Sequence, residues 1–114
     1  MHETSKKMKA LLRQYADLAC EAEMKAALGV LAAKFCEWEA GRLSSADLHA
    51  LIHKYHDGIG REIWRRFTSN DPDVSLAHAV AAGFVTKESL PGEVQDHIAG
   101  MVEFFLEEER EQDV

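Results

Sequence analysis

The chain has 114 residues, of which 46% are hydrophobic and 29% are charged, and its net charge is −7. These values are typical of a single folded domain over residues 1–114 and argue against intrinsic disorder. The apolar runs are too short to span a membrane, and the negative charge disfavours nucleic acid as a partner. No apolar stretch follows residues 1–6 that could act as a secretory signal, so we expect a cytoplasmic protein.

The first third of the chain predicts one unusually long helix, because residues 5–40 contain no proline and a single glycine. Two apolar stripes recur there at helical spacing, the second one residue out of phase with the first. Their members are Met8, Leu11, Leu12, Tyr15, Leu18 and Ala22, and then Leu28, Leu31, Phe35 and Trp38. Either one helix carries an apolar face that shifts gradually around its surface, or two helices meet near residues 20–24.

Good helix formers occupy residues 20–24, which favours one helix of about 35 residues, roughly 50 Å long. Such a helix is longer than the diameter expected for a domain of this size. It therefore predicts a partner at its protruding end, and a second copy of the chain is the simplest one. Cys20 and Cys36 would lie about 24 Å apart on this helix, which is too far for a disulfide. We therefore expect both thiols to be reduced, as in a cytoplasmic protein.

Three further helices are predicted at about residues 45–67, 72–82 and 91–109, with no strand pattern between them. Ser44 and Asp47 resemble a capping box, and Asp71 precedes a first-turn proline. Gly58 and Gly60 lie inside the second helix, where they mark a kink, a close contact or the approach of a ligand. The fold class is therefore all-α, a four-helix bundle-like domain, and the acidic tail over residues 107–114 is expected to be solvated and frayed.

Three histidines of the second helix form a strip along one helix face. His49, His53 and His56 lie within about 60° of each other on that face, at a spacing that lets imidazoles share a divalent metal. A further ligand, such as His78, His97 or a carboxylate, would come from another helix. The metalloprotease motif is absent because its glutamate is missing. The alternatives are histidines packed at a helix boundary or a pH-sensitive interface.

Two arginines follow the histidine strip. Arg61 and Arg65 lie one turn apart and could together bind a phosphate or a carboxylate. Together with His53, His56 and Asp57, Arg61 could also support acid–base chemistry. The simpler interpretation is ion pairing along the helix, Asp57 with Arg61 and Glu62 with Arg66.

Charge is distributed unevenly along the chain. Residues 1–14 carry a net charge of +3, whereas residues 88–114 carry −8. This asymmetry permits a basic segment to meet an acidic one within a chain or between two copies. The segment 76–83 resembles the first half of a helix-turn-helix, but Pro91 and Gly92 would interrupt the recognition helix, which argues against DNA binding.

Four short motifs occur between residues 38 and 91: Trp38-x2-Gly41-x-Leu43-Ser44, Leu48-x3-Ile52-His53-x2-His56-Asp57-Gly58-x2-Arg61, Ala79-Val80-x2-Gly83-Phe84-Val85 and Pro91. In these motifs the chain resembles an uncharacterised family of small all-helical bacterial proteins, some of them carried on mobile gene cassettes. The resemblance covers most of residues 35–95 and implies a helical fold and bacterial origin, with no assigned reaction. If the family has a site, it falls on His53, His56, Asp57 and Arg61.

The most economical functional hypothesis is a non-enzymatic interaction protein, a homodimer joined through the long helix, with no cofactor. The alternative is a metal- or anion-binding site, which could be hydrolytic, built on the strip of His49, His53 and His56 together with Arg61. A third option is a toxin-neutralising or regulatory partner of another small protein.

Overall fold

The computed structural model describes residues 5–112, which form five α-helices and no strand. The α-helices are α1 (Lys6–Glu39), α2 (Ser45–Tyr55), α3 (Arg61–Ser69), α4 (Pro72–Ala81) and α5 (Gly92–Gln112). A π-helical turn (His56–Gly60) joins α2 to α3, and a short 3-10 helix (Lys87–Ser89) precedes α5. Because α2, the π turn and α3 are continuous, the predicted all-α fold with four successive helical segments is confirmed.

The long first helix is unbroken across residues 20–24, as predicted. The Ser5 side chain caps its start by accepting a hydrogen bond of 3.0 Å from the Met8 backbone N–H. Gly41 ends it with φ of +79°, a left-handed conformation that glycine adopts without a Cβ clash. The 34 residues of α1 therefore act as a single rod that connects both ends of an elongated molecule measuring 58 × 35 × 24 Å.

The hydrophobic core lies at one end of this rod, which we call the base. There the first half of α1 packs against α4 and α5. All three helices run in the same direction, because α4 begins beside the start of α1 and beside His97, and ends near Phe105. The buried members of this core are Leu12, Ala19, Leu76, Ala77, Ala79, Leu90, Val94 and Ile98.

The buried stripe of α1 differs from the predicted one. Leu18 was expected in the core but is 57% exposed, and the stripe instead continues from Ala19 to Glu23, which is 2% exposed. Met8, Leu11 and Tyr15 of the predicted stripe do pack against the core, so the difference begins at Leu18. The prediction for Leu18 is therefore wrong.

The second half of α1 and α2 form an antiparallel hairpin that extends away from the base. We call residues 24–60 the arm. Leu48 is the one buried apolar residue within positions 24–60, because no third helix layer from residues 5–112 covers the hairpin. Large apolar side chains of the arm are therefore partly open to solvent, each between 37% and 47% exposed: Leu28, Phe35, Trp38, Ile52 and Ile59.

A kink in the predicted second helix returns the chain from the arm to the base. Gly58 leaves helical geometry there, with φ −105° and ψ −106°. Gly60 is a close contact, because an added Cβ would lie 3.0 Å from the Tyr55 ring and 3.1 Å from its carbonyl oxygen. Two of the three roles predicted for this glycine pair, the kink and the close contact, are thus confirmed.

The acidic tail is helical as far as Gln112. Residues 113–114 lie outside the described residues, so the predicted fraying of 107–114 stays a prediction. Between residues 5 and 112, no helix has the length and hydropathy needed to cross a membrane.

Candidate functional site

An open apolar groove runs along the arm between α1 and α2. It has a volume of about 400 Å³. Val30, the most exposed of its apolar residues, is 67% accessible. Among the described residues that line it, Lys34 and Lys54 are the charged ones, so an occupant would meet an apolar floor beside two ammonium groups. The groove is lined by Ala27, Val30, Leu31, Lys34, Leu51, Lys54, Tyr55, Gly58 and Ile59.

Two aromatic side chains outside the groove are also exposed on the arm. Phe35 and Trp38 are each 39% exposed and meet edge to face, with ring centroids 6.3 Å apart. The Trp38 indole N–H donates a 2.9 Å hydrogen bond to Ser45 Oγ, which fixes the ring at the tip of the hairpin. Large exposed apolar surfaces of this kind mark interaction sites in folded proteins.

The histidine strip lies on the solvent-exposed side of α2. The Nε2 atoms of His49 and His53 are 3.2 Å apart, with ring centroids at 4.7 Å. His56 begins the π turn and is exposed. Within residues 5–112, no three histidine, cysteine or acidic side chains converge closely enough to hold a metal ion. The structure thus brings two of the three strip residues together and leaves the third apart.

The suggested additional metal ligands lie in the base. The His78 ring packs edge to face on Phe105 at 5.2 Å, and His97 Nε2 is 3.5 Å from Asp73 Oδ2. Both side chains are therefore engaged with α4 and α5 rather than with the strip.

Arg61 and Arg65 line one shallow depression of about 440 Å³ beside the kink, as the anion-site hypothesis requires. Asp57 and Glu62 line it too, so two carboxylates share the space with the two guanidinium groups. The expected helical pairing of Glu62 with Arg66 is replaced by a longer-range contact: Arg66 Nη1 lies 2.7 Å from Glu23 Oε1.

That ion pair is a buried junction between α1 and α3, next to the residue where the arm begins. Glu23 belongs to α1 and Arg66 to α3, and the Arg66 carbonyl accepts a 2.9 Å hydrogen bond from the Ser75 hydroxyl of α4. Among residues 5–112, Glu23 Oε2 and His78 Nδ1 are buried without a hydrogen-bond partner. Burial and the nearby Arg66 charge lower the pKa of His78, which favours the neutral imidazole there.

This buried junction was not predicted from the sequence, although one signal for it was present. Glu23 follows Leu12, Ala16 and Ala19 at helical spacing, so it shares their buried face. Its partner is 43 residues away along the chain, and no local pattern connects the two.

The fold and the arm together define an all-helical protein with an apolar, partly basic surface and a buried ion pair at its centre. Comparisons with protein-family models, with curated proteins and with solved structures give no match to this chain. The resemblance to small bacterial helical proteins consequently stays a prediction.

Proposed function

We propose that this protein is a non-enzymatic helical interaction protein that forms a homodimer through its arm. The observation that supports the proposal is the apolar groove between α1 and α2, whose residues have no covering layer within the part of the chain that the structure describes. A two-helix hairpin buries its apolar faces only against another element. A second copy of the chain supplies that element, as in most homo-oligomers.

The proposal places the protein in a bacterial cytoplasm, with a protein rather than nucleic acid or a membrane as partner. Its unpaired cysteines, Cys20 and Cys36, are consistent with a reducing compartment. The acidic net charge of −7 supports a protein partner over nucleic acid.

Substituting Val30→Glu is expected to weaken the dimer at least about tenfold, because a carboxylate would have to be buried in the apolar groove. Leu18→Glu is the matched control: Leu18 is an exposed aliphatic residue of the same helix but lies outside the arm, so its dimer should be unchanged. Sedimentation velocity over a concentration series measures both. A wild-type protein that stays monomeric from about 1 to 300 µM, or equal weakening in the two variants, would contradict the proposal.

A second candidate function is divalent-metal binding at the paired histidines. Zn–N bonds are about 2.0–2.1 Å long, so nitrogens 3.2 Å apart would subtend about 100° at a zinc ion, close to a tetrahedral angle. Two nitrogens make half a zinc site, and the other positions would be taken by water, an anion or a residue of the second copy.

Zinc or nickel is expected to raise the melting temperature of untagged wild-type protein, and His53→Ala is expected to abolish that increase. His56→Ala, which removes the unpaired member of the strip, should retain it. If the metal-induced increase in melting temperature is lost in both variants, all three histidines of the strip bind the metal. If zinc and nickel leave the wild-type melting temperature unchanged, the second candidate function is wrong.

A further inference from the structure

The arm groove combines an apolar floor with a basic rim. Lys34 Nζ lies 3.3 Å from Glu37 Oε2, with 41% of the Lys34 side chain exposed, and Lys54 is exposed on the facing helix. An exposed pair such as Lys34 and Glu37 contributes little stability, so Lys34 is free to meet another carboxylate. The chemistry of the groove therefore suits an acidic amphipathic helix with a large apolar side chain.

The end of α5 has those properties. Phe104 is 57% exposed, whereas its neighbour Phe105 packs on the His78 ring in the base. Glu107 and Glu111 follow Phe104 by three and seven residues, so all three share one outward face of the helix. Residues 103–111 contain five glutamates and one arginine, which makes this face strongly acidic.

The same α5 is held in the base of its own chain. It packs against α4 and α1, and Glu108 and Glu109 line a small cavity with His78. Its inward face is thus occupied while the Phe104 face is left outward. An outward acidic helix and an outward basic groove on one chain are complementary surfaces that two copies can bring together.

The geometry points to the end of α5 from a second copy as the occupant of the arm groove, with Phe104 on the apolar floor and Glu107 and Glu111 facing Lys34 and Lys54. This inference rests on the self-association proposed above. Each copy has one groove and one such helix, so two identical contacts form about a twofold axis. The binding mode is that of an amphipathic helix laid in a hydrophobic groove.

Charge reversal with mixing tests the contact. One variant carries Lys34→Glu and Lys54→Glu, and the other carries Glu107→Lys and Glu111→Lys. Alone, each variant faces like charge at both contacts, and its dimer Kd should rise at least about tenfold. Mixed in equal amounts, the two variants face opposite charge at both contacts, and a heterodimer of near wild-type affinity should form. Sedimentation equilibrium measures the affinities, and circular dichroism checks that each variant is folded.

Phe104→Ala tests the apolar part of the contact without changing any charge. Phe84→Ala is its control, because Phe84 is also exposed but lies outside α5. The Phe104 variant should weaken the dimer and the Phe84 variant should leave it unchanged. If both reversal variants dimerise like the wild type, or if mixing restores nothing, α5 is not the occupant, although self-association through the arm would stand. A monomeric wild type would overturn both.

Discussion

Replacing Arg66 with methionine is expected to lower the free energy of unfolding by about 3–5 kcal/mol. Arg66 Nη1 lies 2.7 Å from Glu23 Oε1, and Glu23 is 2% exposed. Methionine keeps the apolar stem of the side chain but removes the cation, so the Glu23 carboxylate would be left buried without a counter-charge. Urea unfolding at a fixed protein concentration gives the measurement, because dimerisation would otherwise add to the apparent stability.

Arg65→Met is the matched control for this variant. Arg65 is exposed on the same helix, so its loss should change the free energy of unfolding by less than about 0.5 kcal/mol. The double variant Glu23→Met/Arg66→Met should recover most of the lost stability, since replacing a whole buried ion pair with apolar side chains is often neutral. If Arg66→Met lowers the free energy of unfolding no more than Arg65→Met does, the ion pair does not stabilise the contact between α1 and α3.

The fold could be predicted from the sequence because its signals are local. Good helix formers across residues 20–24 keep α1 continuous. The glycine at position 41 marks its end, and the proline at position 72 marks the start of α4, both through backbone chemistry alone. The π turn was only partly predictable: Gly58 and Gly60 marked an irregularity, but the need for glycine at position 60 depends on where the Tyr55 ring packs.

The candidate site was less predictable because its features depend on packing. The apolar residues Leu28, Phe35 and Trp38 have the spacing of a core stripe, and only the structure shows that no helix within residues 5–112 covers them. A stripe that packs against another chain has the same sequence pattern as one that packs within its own chain. Glu23 shows the opposite: its residue type predicts a solvated side chain, but it is buried. A helix carboxylate is ordinarily exposed to solvent unless a cation, here one from a distant part of the sequence, pairs with it.

Leu76→Ala is the second substitution for which we expect a large loss in the free energy of unfolding. Leu76 is fully buried at the centre of the base, where α4 contacts the first half of α1 and α5. Truncating it removes apolar contacts and leaves a cavity, which is expected to cost about 2–5 kcal/mol in the free energy of unfolding. Urea unfolding of the variant, at a protein concentration low enough to keep the chain monomeric, measures that cost.

Leu28→Ala makes the same chemical change on the arm, where Leu28 is 47% exposed. It should lower the stability of the monomer by less than about 1 kcal/mol, because little buried area is lost. Its main effect should appear as weaker dimerisation. Equal losses of monomer stability in the two variants would contradict this separation, since they would mean that the arm contributes to folding as much as the base. A stable base would allow the arm to keep an apolar surface exposed, because folding does not depend on covering it.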